Sequence, residues 1–275
     1  MSSFIDRYEH GECEQVWAEL QALGERVREE PYYSDALAVA DETMRRVRHN
    51  IELLLPRLEA SGYRFGYDWM KGVEADFVAR QPMVFAPSRP GVRERIAELE
   101  AVVGAQPLSL RAFYEVVGEV NLVGEPPETW REWFGAPEDG DALYIDPIDA
   151  AFEAMLWEED VYGDMSTEEW DLPDPDEEDL CDSRAYHALP HDCRLIPLAP
   201  DEWHKYNISG CGGYEIAVPN PSADARLLTE SHRTTFVNYL RICLRWGGFP
   251  KLEQLATEPA QVSGLAALTR DFLLI

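Results

Sequence analysis

The chain has 275 residues, and its 24 Lys and Arg against 52 Asp and Glu give a formal net charge of −28. That balance excludes a free-standing nucleic-acid binder, which needs a basic footprint to neutralise phosphates, and disfavours docking on anionic lipid. With 45% apolar residues, among them 8 Trp, 12 Tyr and 10 Phe, there is material for a substantial core.

The opening residues Met1 to Arg7 carry neither a basic nor an apolar targeting segment, and no stretch reaches the roughly 18 apolar residues of a membrane span. A soluble cytoplasmic protein is the expectation. The five cysteines, Cys13, Cys181, Cys193, Cys211 and Cys243, are odd in number and scattered, which predicts free thiols used for packing.

Apolar residues at Val16, Trp17, Leu20, Leu23 and Val27 share one helical face and predict a first helix. A second opens after Pro31, with Ser34 as its expected N-cap, and carries Leu37, Ala40, Met44, Val47, Ile51, Leu54 and Leu58 as far as Gly62. Its Arg45, Arg46 and Arg48 read as a solvated face balanced by Glu42 and Glu52 rather than as a phosphate site. From Tyr63 the period changes to two, with Phe65, Tyr67 and Trp69 alternating with Arg64, Gly66 and Asp68. This predicts a strand whose aromatic face packs into the core.

Pro82, Pro87 and Pro90 mark an irregular connector. Residues 91 to 118 then predict two helices, the first stopped by Gly104 and the second opened by Pro107. Strands are expected at Val120 to Val123, Ala142 to Ile145, Leu195 to Leu198, Tyr206 to Ile208 and Tyr214 to Val218. A helix with Phe236, Tyr239, Leu240, Cys243 and Leu244 on one face ends at Gly247-Gly248, and an amphipathic piece runs from Val262 to Leu273. Residues 128 to 182 hold 21 Asp or Glu and one Arg, so most of the net negative charge sits in a fifth of the chain. Such a block repels itself and predicts an acidic loop insertion at about 160–185. The fold class is therefore α+β: an antiparallel or mixed sheet flanked by helices. A helical extension with one strand covers 1–90, and an α+β domain with the acidic insertion covers 91–275.

Signatures of P-loop NTPases, dinucleotide-binding enzymes, zincins and α/β-hydrolases are all absent from the sequence. Cys181, His187, His191 and Cys193 bring two thiols and two imidazoles within thirteen positions, the donor set of a tetrahedral zinc site, at a spacing that matches no regular finger. Exposed residues at the end of an acidic loop would read the same way. Asp174, Asp176 and Glu178 lack the mid-loop glycine of a calcium-binding hand. Gly210-Cys211-Gly212-Gly213 reads as a hairpin turn before it reads as an anion nest with Cys211 as nucleophile and His204 as base. No cofactor is expected.

Three segments in order carry a resemblance. Ile96 to Gly118, with Gly104, Gln106-Pro107 and Leu108, is similar to the helix, Pro-turn, helix, Gly opening of the SUKH superfamily, which includes yeast cell-wall-synthesis regulators and bacterial immunity proteins. Ile196-Pro197-Leu198-Ala199-Pro200-Asp201 with Gly212-Gly213-Tyr214 to Val218 resembles that family's paired strands around a Gly-rich turn, and Thr234 to Trp246 sits where its closing helix would. The resemblance covers about residues 91 to 250. It implies an α+β fold and a non-enzymatic role, either an immunity protein that binds and neutralises a toxin domain or a protein-interaction module; with the acidic charge, that toxin is expected to be basic and nuclease-type.

An acidic surface steers a cationic partner, so the expected partner is a basic protein, with no direct nucleic acid and no membrane. The expected contact residues are Trp170, as an apolar anchor, with Asp174, Asp176, Glu177, Glu178 and Asp179 around it. Two alternatives stand beside this reading: a metal-dependent hydrolase using the Cys/His cluster, and an acidic nucleic-acid mimic.

Overall fold

The computed structural model describes residues 2–67, 70, 72–80, 83–130, 132–153, 189, 193–208, 212–256 and 258–275. The chain opens with α1 (Phe4–Glu9) and α2 (Cys13–Ala22), a 3₁₀ turn at Gly24–Arg28, and the long α3 (Tyr32–Ala60). Ser3 and Asp6 form a capping box on α1, and the Asp35 carboxylate of α3 accepts from the Phe4 and Ile5 N–H groups at 2.5 and 3.0 Å. The predicted first helix therefore ends at Ala22, because Gly24 takes a φ of +57° that an α-helix cannot continue. Ser34 is inside the first turn of α3. Pro31 occupies the N-cap, where its missing N–H costs nothing, and the Ser34 hydroxyl donates to Glu30 Oε1 at 2.7 Å.

Helix α3 is the central element. Its Ala40, Met44, Val47, Ile51, Leu54 and Leu58 are fully buried, and Trp17 of α2 donates its indole N–H to Thr43 at 3.0 Å. The face with Arg45, Arg46 and Arg48 pairs with Glu42 and Glu52, as the spacing predicts. Helices α5 (Val92–Val103) and α6 (Leu108–Val116) follow the predicted Gly104 and Pro107 boundaries, and α6 packs on α3.

The strands are short and antiparallel: β1 (Arg64–Phe65) with β4 (Gly124–Glu125), β2 (Phe85–Ala86) with β3 (Glu119–Asn121) and β5 (Tyr144–Ile145), and β6 (Arg194–Ala199) with β7 (Tyr214–Val218). Antiparallel pairing is thus what the expected α+β class contains. The connector around Pro82 holds α4 (Ala75–Arg80) and β2. Residues 148–153 are helical. The Asp146 N–H reaches Leu198 O at 2.7 Å and ties the end of β5 to β6. Pairing of β1 and β2 with later strands, and of α3 with α6, carries one core across residue 90.

Two further predictions are corrected. Tyr206 to Ile208 is not a strand: Asp201 Oδ1 accepts from the Trp203 and His204 N–H groups at 2.9 and 2.7 Å and winds the chain into a 3₁₀ turn, His204–Tyr206. Between Val262 and Leu273 only α8 (Leu265–Leu268) is α-helical, because Asp271 adopts a left-handed φ of +64° and Asn50 pins Leu273 through both its N–H and its C=O at 2.8 Å. Helix α7 (Phe236–Arg245) is as predicted, with Phe236, Tyr239, Leu240 and Cys243 fully buried. Among the described residues, no helix is long and apolar enough to cross a membrane.

Candidate functional site

Where β2, β3 and β5 end together they open a cleft of about 230 Å³. The register Phe85↔Val120 and Val120↔Ile145 crosses all three strands, and Ala86↔Glu119 is the last rung of the sheet on this side. Beyond that rung the chain leaves the sheet as Pro87-Ser88-Arg89-Pro90 on one side and Pro147-Ile148-Asp149 on the other, and these two segments form the walls. Prolines suit this place, since none of the three can donate to a continued ladder. The floor includes Tyr114 of α6 and Gly118, whose φ of +96° and contact with Ala86 O leave no space for a side chain.

Charged groups converge on the cleft. Arg89 Nη2 lies 3.3 Å from Glu119 Oε1, and Arg95 Nε lies 2.9 Å from Asp149 Oδ1 and stacks its guanidinium over Phe152. Glu119 is only 4% exposed. Directly after β5, burial pushes the Asp146 carboxyl up to about 7, with the negative charge of Glu119 adding to it and the Tyr144 hydroxyl, at 3.2 Å, opposing it.

Deeper in the molecule, Lys205 Nζ contacts Asp141 Oδ1 at 2.5 Å, the Tyr214 hydroxyl donates to Asp141 Oδ2 at 3.0 Å, and the ammonium lies over the Tyr214 ring. Burial raises the Tyr214 hydroxyl and the Cys243 thiol well above their usual ranges, so the first remains a donor and the second stays unreactive. Asp141 and Asp146 had counted toward the acidic block of the sequence, yet Asp141 is fully buried and paired.

Trp170, Asp174, Asp176, Glu177, Glu178, Asp179, Cys181, His187, His191 and Cys211 lie outside the described residues, as does Trp69. Cys193 sits half-buried beside the first residue of β6, and His204 Nδ1 stands 3.2 Å from Asp201 Oδ2. Gly213 does not serve a positive φ. A Cβ there would meet Ala199 O at 2.7 Å, so it is the close approach of β6 and β7 that requires glycine. Among the described residues, no three His, Cys, Asp or Glu side chains gather as a metal site. Sequence reasoning did not single out Arg89, Arg95, Tyr114, Glu119, Asp146 or Asp149. Its one local signal was the Pro-rich connector, and the residues that complete the cleft arrive from three other parts of the chain.

No family model, curated protein or solved structure matches the chain.

Proposed function

We propose that this chain is a non-enzymatic binding protein that captures a basic protein partner, the role the SUKH resemblance implies for an immunity protein facing a nuclease-type toxin. The observation that carries this reading is the disposition of charge. Arg7, Arg46, Arg48, Arg111 and Lys251 are each held by one of the chain's own carboxylates at 2.6–3.0 Å. Cations already committed in this way leave the surplus of carboxylates to set the outer field. That field attracts a cationic surface over about a Debye length, near 8 Å at physiological salt, and raises its association rate.

The test is affinity capture from host lysate at about 50 and about 300 mM salt, followed by titration of the purified partner. A single basic protein is expected, bound more weakly at the higher salt. Changing Asp174, Asp176 and Asp179 to Asn and Glu177 and Glu178 to Gln is expected to weaken binding and flatten its salt dependence. Unchanged affinity and slope would remove this placement of the interface.

A further inference from the structure

We infer that the cleft between the β2–α5 connection and residues 147–149 is a binding site for a small zwitterion, a free α-amino acid in size and charge. The inference stands apart from the capture of a basic protein and rests on different residues.

Three observations lead to it. Tyr114 lines the cleft, is 1% exposed, and its hydroxyl has no hydrogen-bond partner. An unpaired buried hydroxyl is costly, and a bound ligand is one way such a group is satisfied. Second, Gly91 and Val92, the N-cap and first residue of the twelve-residue α5, line the same space, and Gly91 has no side chain with which to cap the helix. The Val92 N–H donates to Arg89 O at 3.2 Å, and the positive end of the helix dipole lies at the cleft. Third, the walls present both signs of charge, Arg89 and Arg95 against Glu119 and Asp149.

These features select a ligand class. Two guanidinium groups, a helix N-terminus and a phenolic donor suit a carboxylate. The buried Glu119, whose one ion-pair contact among the described residues is Arg89 at 3.3 Å, suits an ammonium. A simple anion would gain little, because the two carboxylates balance the two arginines; a zwitterion uses all four. The volume of about 230 Å³ lies below the roughly 300–1,000 Å³ of sites for drug-sized molecules, which leaves out nucleotides.

The experiment is calorimetric titration of the full chain with each standard α-amino acid up to about 10 mM, backed by thermal unfolding. At least one amino acid is expected to bind one-to-one and raise the Tm. Its α-hydroxy-acid and decarboxylated analogues are each expected to bind roughly tenfold more weakly or worse, since each leaves a charged wall group unpaired. Arg89→Gln changes an exposed side chain and Glu119→Gln a buried one; both are expected to weaken binding by a similar factor. Tyr114→Phe adds a readout that a structural role would move the other way. It is expected to leave the Tm without ligand unchanged or higher while reducing the shift that the amino acid produces. Absence of binding by every amino acid, equal binding of the hydroxy-acid analogue, or a lower Tm for unliganded Tyr114→Phe would each overturn the inference.

Discussion

Lys205 Nζ and Asp141 Oδ1 meet at 2.5 Å with neither side chain reaching solvent. The two residues are 64 positions apart, and their contact joins the turn between β6 and β7 to the segment that leads into β5. Taking both charges out of water is expensive, so the pair is held by its geometry and by the Tyr214 hydroxyl that shares Asp141. Lys205→Met strands a buried carboxylate and is expected to cost about 3–5 kcal/mol. Adding Asp141→Leu is expected to recover much of that loss, because no charge then remains unpaired. Urea unfolding of the two single variants and the double variant decides the matter, and strictly additive losses would mean that the contact is not energetically coupled.

Asp224 links two helix starts. Its Oδ1 accepts from the Ser109 hydroxyl at 2.7 Å in α6, and its Oδ2 from the Val237 N–H at 3.2 Å in α7. A carboxylate near two helix N-termini is favoured by both dipoles. Asp224→Ala leaves the Ser109 hydroxyl and the Val237 N–H without this acceptor and is expected to destabilise by about 2 kcal/mol or more. Asp224→Asn keeps an acceptor and is expected to lose less. Equal losses in chemical denaturation would show that the charge itself carries the effect.

What was legible in the sequence was local. The period of α3, the Gly104 and Pro107 boundaries and the Gly247-Gly248 stop depend on near neighbours, and the structure has them. The predicted strand at Tyr206 failed for a local reason of another kind, since the Asp201 side chain competes for the backbone N–H groups that a strand would need. Of the cleft, only the Pro-rich connector was legible. Arg89, Tyr114, Glu119 and Asp149 follow no motif, and only the pairing of β2, β3 and β5 brings them together. Counting acids along the chain also overstated the acidic surface, because Asp141 is used inside the core.

Gly118 gives a direct test of the cleft floor. Its φ is +96°, and a Cβ there would lie 2.4 Å from Ala86 O and 2.8 Å from Ser88 N, both backbone atoms. Gly118→Ala is expected to lose about 1–2 kcal/mol from the left-handed conformation alone, with the backbone contact adding to it. Thermal unfolding of this variant beside Gly72→Ala, where φ is +81° but nothing lies within 4 Å, separates the two contributions. Equal loss at both positions would mean that β2 moves aside freely.

The Asp146 carboxyl predicts a pH signature of definite sign. Burial is the largest cause of its rise to about 7, while the unfolded chain titrates it near its ordinary value of 3.8. Between those values the folded state holds more protons than the unfolded one, so the contribution of this group to stability is fully present below about pH 4 and is lost as pH rises through 7. Asp146→Asn removes the titration and retains most of the shape. Unfolding free energies measured from pH 4 to 8 are therefore expected to fall more steeply in the native sequence than in the variant, with Asp146→Asn gaining relative stability toward pH 8. Glu119→Gln is expected to shift the midpoint of that difference downward, because the Glu119 charge contributes to the rise. Parallel pH profiles for the native chain and Asp146→Asn would show that Asp146 is ionised throughout.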